Sequence, residues 1–171
     1  MSIDLSSIPP IIITDIDGTL SDHRHRLHHA VARDWDAYHA TMHEDPVHKD
    51  VLGLLDLYSA NGATIIACTA RPAAYQARTT IWLLENGVPV DFLLMREPGD
   101  YRPSSVVKIE AMERWLAQTL DSAKVPFDGS ATSIREIALQ KVLFVLEDLD
   151  SVVQGWRDYG LNCWQVRKDP Y

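Results

Sequence analysis

After the prolines at 9 and 10 the chain runs Ile11-Ile12-Ile13-Thr14, four β-branched residues without polar alternation, and stops at Asp15. A short, wholly apolar run predicts a strand buried on both faces that ends where polar chemistry begins. The period then changes. From Pro46 to Asn61 apolar residues fall at helical spacing (Val51, Leu54, Leu55, Leu57), Gly62 closes the run, and Ala63 to Cys68 comes next as a buried β-type stretch. The same order recurs three times. Ala73 to Asn86 predicts a helix closed by Gly87, with Asp91 to Met95 as its strand; Ser104 to Leu120 is a helix and Lys141 to Leu146 a strand. Asp150 to Tyr159 is a helix closed by Gly160, and Leu161 to Val166 is the last strand.

Strands alternating with helices predict an α/β fold, a Rossmann-like three-layer sandwich with a mainly parallel sheet and right-handed crossovers. Ligands of such sheets sit beyond the carboxyl ends of the strands. Two segments break the rhythm. Residues 21–49, chiefly His23 to Lys49, are longer than a connection requires and predict a small helical cap inserted over the site. Val125 to Ser133, with Pro126, Gly129 and small polar residues, reads as a surface loop. No internal repeat is present, and the 171 residues suit one domain with its own core.

Composition narrows the setting. With 46% hydrophobic and 23% charged residues, no apolar run approaches the roughly 18 residues of a membrane span, so a transmembrane reading is excluded. Met1 to Pro10 lacks the basic start and apolar core of a secretory signal. Cys68 and Cys163 each lie in an apolar run and read as buried thiols, although a disulfide between them stays open. A cytoplasmic location is therefore expected. The net charge of −8 excludes a broad grip on duplex nucleic acid, so any polynucleotide would be held locally, where a metal and a few basic side chains cluster. A homo-oligomer stays open.

The candidate chemistry begins at Asp15-Ile16-Asp17-Gly18-Thr19-Leu20. Two carboxylates at alternate positions past a buried strand would point to one side, and Gly18 lets the chain turn away. Phosphate monoesters hydrolyse so slowly in water that a site acting on them needs a nucleophile, a proton donor and concentrated positive charge. A carboxylate nucleophile, a second carboxyl and a metal meet that need.

These residues resemble the Asp-x-Asp-Gly-Thr signature of the haloacid dehalogenase (HAD) superfamily of phosphatases, and three further motifs come after it in order. Thr69, Lys108 and the pair Glu147-Asp148 stand where that superfamily places a phosphate-binding hydroxyl, a neutralising lysine and the acidic part of a magnesium site. Arg96-Glu97-Pro98-Gly99-Asp100, Val106-Val107-Lys108, Val152-Val153, Gly160 and Cys163-Trp164-Gln165-Val166 are similar to the 3′-phosphatase domain of bacteriophage polynucleotide kinase/phosphatase. No Gly-x-x-x-x-Gly-Lys-Ser/Thr sequence occurs, so no kinase segment is expected within these residues.

The resemblance implies that Asp15 attacks phosphorus, that Asp17 acts as acid and then base on an aspartyl-phosphate intermediate, and that Lys108 neutralises charge. It places the substrate phosphate against Gly18, Thr69, Ala70 and Arg71. It implies Mg2+ held by Asp15, the backbone carbonyl of Asp17 and Asp148, with Glu147 as direct ligand or as holder of a bound water, and Asp150 as fallback. The implied substrate is a 3′-phosphate on a nucleic-acid end or nucleotide. The alternatives are a 5′-nucleotidase acting on free (deoxy)nucleoside monophosphates and a phospho-acceptor signalling domain.

Several residues keep a purely structural alternative. Asp15 and Asp17 taken alone could cap a helix, Lys108 could be a solvated helix lysine, and Arg71 could form a structural salt bridge. All seven histidines (His23, His25, His28, His29, His39, His43, His48) lie in the segment 21–49. With no cysteine or paired ligand spacing beside them to support a transition-metal site, some of them, with Arg24, Arg26 and Arg33, read as a substrate-facing polar side. Trp35 and Tyr38 share a helix face and serve either core packing or stacking on a base. Trp156 and Trp164 read as core or interface.

Overall fold

The structure is a computed structural model that describes residues 5–168; the first four residues of the N-terminal segment lie outside the described range. Five strands form one sheet: β1 (Ile11–Thr14), β2 (Thr64–Pro72), β3 (Phe92–Arg96), β4 (Val142–Glu147) and β5 (Cys163–Gln165). Their order is β3-β2-β1-β4-β5 and every pairing is parallel, as the strand–helix alternation predicts.

Alternate side chains of the central strands feed two cores, which is why β1 carries no polar residue before Thr14. Ile11, Ile13, Ile66, Cys68 and Val145 enter one core with Met112 and Leu116 of α5 (Ser104–Ser122), Ile137 of α6 (Ala131–Lys141) and Val153 and Trp156 of α7 (Asp150–Tyr159). Ile12, Ile65, Ala67, Phe144 and Leu146 enter the other, with Val51 and Leu55 of α3 (Lys49–Ala60) and Trp82 and Leu83 of α4 (Gln76–Glu85). Each fully buried isoleucine contributes about 1.5–3 kcal/mol, so β1, central and shared by both cores, is a stiff base for the residues at its carboxyl end. Cys68 and Cys163 are free and buried, and burial pushes each thiol up to about 12.

The two largest differences from the sequence pattern lie after Cys68 and before Val142. β2 continues past Cys68 to Pro72, because Pro72 pairs with Arg96 of β3 across a break in register. A helix also occupies Ala131–Lys141, beginning inside the stretch read as a loop. The Ser130 side chain accepts from the Ser133 amide and caps it, while Ile134, Ile137 and Ala138 face the core at helical spacing. The small polar residues before them hide that spacing.

Between β1 and α3 lie short helices: a 3-10 turn at Arg24–Arg26, α1 (Leu27–Val31), α2 (Trp35–Ala40) and a second 3-10 turn at Met42–Glu44. The segment is pinned at its base, where the Asp22 amide donates to the Pro46 carbonyl and the His48 amide to that of Leu20, both at 2.8 Å. Both ends of the excursion are thus tied next to the carboxyl end of β1. No described helix is long and apolar enough to cross a membrane.

Candidate active site

From β1 the chain connects outward through β2 to β3, then returns to the other side of β1 as β4. The carboxyl ends of β1 and β4 therefore flank the point where the strand order reverses, the place at which a parallel sheet opens a crevice. Asp15 comes directly after β1, its amide donating to the Leu146 carbonyl at 2.9 Å, and Glu147 closes β4 with Asp148 just beyond. Ligand oxygens of Asp15, Glu147 and Asp148 lie within 4.8 Å of one another, and all three residues are buried.

Lys108, on the first turns of α5, reaches into this cluster. Its Nζ donates to Asp15 Oδ1 at 2.6 Å and to both Glu147 oxygens at 3.0 Å. Burial raises the carboxyls of Asp15 and Glu147 above their ordinary values, with Lys108 opposing the rise. Burial works against the Lys108 ammonium, but Asp15 and Glu147 outweigh it and hold the lysine charged. Asp148 Oδ1 accepts from Thr19 Oγ1 at 3.1 Å. Gly18 is required beside it: φ is +86°, and an added Cβ would stand 2.0 Å from Asp148 Oδ2.

The Asp17 carboxylate does not join that cluster. It turns to two buried guanidinium groups. Arg71 binds it through both oxygens, Nε to Oδ2 at 2.9 Å and Nη2 to Oδ1 at 2.6 Å, and Arg26 Nη2 donates to Oδ1 at 2.5 Å. Burial opposes the charged form, yet Arg71, Arg26 and His23 together hold the carboxyl far below the usual carboxylate range. The backbone amide of Arg71 donates to Thr69 Oγ1 at 3.2 Å, so Thr69 and Arg71 are fixed together at the end of β2.

Arg26 is the residue the sequence pattern does not single out. It sits between Arg24 and Arg33 in a run of basic and histidine residues, but it alone of the three is buried; Arg24 pairs with Asp22 at the surface and Arg33 is exposed. Its partner Asp45 is equally buried and accepts from Arg26 Nε at 2.7 Å, from Arg26 Nη2, from Ser21 Oγ at 3.0 Å and pairs with His25 at 2.8 Å. Tyr38 packs under the Arg26 guanidinium, 4.1 Å from ring centre to Cζ, and its hydroxyl pairs with His23 Nδ1 at 2.7 Å. Nothing local in the sequence distinguishes these residues, because each becomes a partner only when the segment folds over β1.

A cavity of about 610 Å³ opens onto Asp15, Asp17, Thr69, Ala70, Arg71, Lys108, Glu147 and Asp148. The expected site residues thus converge on one space, with Gly18 packed behind Asp148. Asp150, the fallback ligand, stands apart: it is exposed, accepts from Gln165 Nε2 at 2.5 Å and pairs with Lys168. The arrangement supplies an oxygen-only acidic cluster, a buried ammonium and the Arg71 guanidinium around one hollow, with Arg26 behind Asp17, a combination suited to a phosphoryl group and a hard divalent cation.

Residues 9–128 match the family of the polynucleotide kinase PNKP phosphatase domain. The chain belongs to this family of HAD phosphatases. Among solved structures, a chain of the Pnkp1/Rnl/Hen1 RNA repair complex is 26% identical, with a TM-score of 0.69; the match covers 100% of this chain and 46% of that one. A second structure of that complex gives the same identity and TM-score over 49% of its chain. The chain therefore spans just under half the length of those chains. A haloacid dehalogenase-like hydrolase from Streptococcus pneumoniae shares the fold at 13% identity, with a TM-score of 0.58 over 91% of this chain and 83% of that one.

Proposed function

We propose that the chain is a Mg2+-dependent phosphomonoesterase that removes a 3′-phosphate from nucleic-acid ends or nucleotides through an aspartyl phosphate on Asp15. The observation that carries the reading is the contact of Asp15 Oδ1 with Lys108 Nζ at 2.6 Å inside an acidic cluster that faces the arginine-bound Asp17 across one cavity. Membership of the PNKP phosphatase-domain family and likeness to a chain of an RNA repair complex favour a nucleic-acid end as substrate.

In this reading an Asp15 carboxylate oxygen attacks phosphorus, the bond from phosphorus to the sugar oxygen breaks, and Asp17 gives its proton to that oxygen. Water then attacks the aspartyl phosphate while Asp17 takes its proton back, releasing inorganic phosphate and free Asp15. Asp17 is ionised while Arg71 and Arg26 hold it, so it must acquire its proton as substrate binds. An incoming phosphate dianion competes for the Arg71 guanidinium, which lines the cavity; with that grip shared and a new negative charge nearby, the Asp17 carboxyl rises and takes a proton. Thr69 and Lys108 bind phosphoryl oxygens, and Glu147 keeps Lys108 oriented.

Asp15, the backbone carbonyl of Asp17 and Asp148 would hold Mg2+, a hard ion served by oxygen ligands alone. When bound, it supplies positive charge that offsets repulsion between the phosphate dianion and the carboxylates. The segment 21–49 acts as the cap, since it brings Arg26 and Asp45 to the site.

A turnover panel tests the substrate: 3′-phosphorylated oligonucleotide, 3′-nucleotides and 5′-nucleotides, each monitored by phosphate release. The expected order puts the 3′-phosphates first. A preference for 5′-mononucleotides would replace this reading with a nucleotidase. Asp15→Asn should abolish release, and Asp17→Asn should slow it and trap phosphoenzyme; steady release by Asp15→Asn would remove the nucleophile.

A further inference from the structure

Three of the five tryptophans, Trp82, Trp115 and Trp156, are buried, and Trp164 lies stacked on Phe144 with ring centres 4.2 Å apart. Trp35 has no such place. It is 54% exposed, meets Tyr38 in an edge-to-face contact at 5.8 Å, and lines the cavity that contains Asp15. Tyr101 lines the same cavity and is 95% exposed. Exposed rings scattered singly are ordinary, but two on the wall of one polar cavity are placed where a bound molecule could cover them.

The backbone that carries each ring is held in place. Arg96, the last residue of β3, donates through Nη1 to the carbonyls of Asp100 and Arg102 at 2.9 and 2.8 Å, which pins the backbone on either side of Tyr101. The same arginine ties that loop to β2 through Nε and the Ala70 carbonyl at 3.0 Å. Arg102 in turn is clamped by Asp100 and Glu110. Trp35 opens α2, whose cap is Asp34, and it rests on Tyr38, the ring beneath Arg26. The two aromatic residues therefore come from the connection after β1 and the connection after β3. Those strands flank β2, which delivers Thr69 and Arg71 between them.

We propose that Trp35 and Tyr101 form a nucleobase subsite, stacking on the base of the nucleotide whose phosphate reaches Asp15. The proposal rests on the reading of the cavity as a phosphatase site for nucleotides or nucleic-acid ends. The space suits it, because about 610 Å³ is ample for a nucleotide with its phosphate at the acidic cluster. Stacking on π-faces accepts every base, so the subsite favours an unpaired, splayed terminal nucleotide and is indifferent to sequence. The net charge of −8 agrees with such local recognition.

The experiment compares two 3′-phosphorylated oligonucleotides, identical except that the terminal nucleotide of one lacks its base. Trp35→Ala and Tyr101→Ala should each lower kcat/KM on the base-bearing oligonucleotide by about tenfold or more, mainly through KM. On the abasic oligonucleotide, already slower with the unmodified protein, the same substitutions should change little, since the interaction they remove is absent there. Trp35→Phe and Tyr101→Phe keep a ring and should retain most of the rate. Equal losses on both substrates, or no loss on either, overturn the subsite. If the unmodified protein acts on 5′-nucleotides instead, the 3′-end reading fails by itself. The same variants on a 5′-nucleotide against ribose 5-phosphate then decide the base subsite by the same criterion.

Discussion

Arg71 holds Asp17 through both carboxylate oxygens, at 2.9 and 2.6 Å, and is itself buried. A fork of this kind cannot be reproduced by a lysine, which offers a single point of charge. In the proposed reaction Asp17 and the substrate phosphate compete for this guanidinium, which would couple substrate binding to protonation of Asp17.

Arg71→Lys should therefore keep the charge but lose the fork. Steady-state kinetics should register a fall in kcat/KM of about 10²-fold, the scale of a misplaced catalytic group. Thermal denaturation should show a folded protein with a lowered Tm, because Asp17 and the buried Thr79 lose hydrogen bonds. Full activity would mean that the pair is only structural.

Gly18→Ala places a methyl group where Asp148 Oδ2 now lies and forces φ = +86° on a residue that disfavours it. The expected outcome is a folded protein whose Asp148 is displaced. Magnesium titration of its activity should show a much higher requirement for the ion and a lower plateau. An unchanged titration would remove Asp148 from the metal site.

The cluster of Asp15, Glu147 and Asp148 concentrates negative charge, and Lys108 neutralises only part of it through its contacts with Asp15 and Glu147. Millimolar Mg2+ should therefore stabilise the fold as well as restore activity removed by EDTA. A gain of about 3 °C in Tm corresponds to roughly tenfold excess over Kd in a chain of this size. Asp148→Asn should abolish that gain in the same thermal scan, and a gain that persists would relocate the site.

His39 is buried with Nδ1 lacking a hydrogen-bond partner among the described residues, and burial lowers it to about 4. The unfolded chain takes up this proton near pH 6.5. Between pH 6.5 and 4 the unfolded state binds more protons, so stability falls as pH drops through that window. His39→Phe removes the titration and fills similar space. Urea denaturation at pH 7 and pH 5 should find the loss on acidification smaller in the variant by about 2 kcal/mol. Equal losses would assign the acid sensitivity elsewhere.

How much of the fold and site was legible along the chain depended on whether the signal was local. The unbroken apolar run at Ile11–Thr14, the helical leucines of α3 and the left-handed Gly160 closing α7 are short-range patterns, and the parallel α/β sheet results from them. Asp15 and Asp17 could be picked out because they come directly after an apolar run that predicts a strand end, whereas Thr69, Lys108 and Asp148 were legible only through their resemblance to the HAD motifs. The helix Ala131–Lys141 was equally local, with Ser130 as its cap, and was obscured by the small polar residues at its start.

What the sequence by itself determined is the sheet, the crevice at its carboxyl edge and the carboxylates that border it, because strand period and motif spacing are properties of neighbouring residues. Tertiary structure alone decided that Asp17 faces arginines instead of the acidic cluster. It also decided that Arg26 rather than Arg24 or Arg33 is buried against Asp17 and Asp45, and that Trp35 stays exposed while Tyr38 is covered. A guanidinium acquires a role from the carboxylate it meets. That meeting depends on how residues 21–49 fold back over β1, a distance in space that no spacing along the chain records.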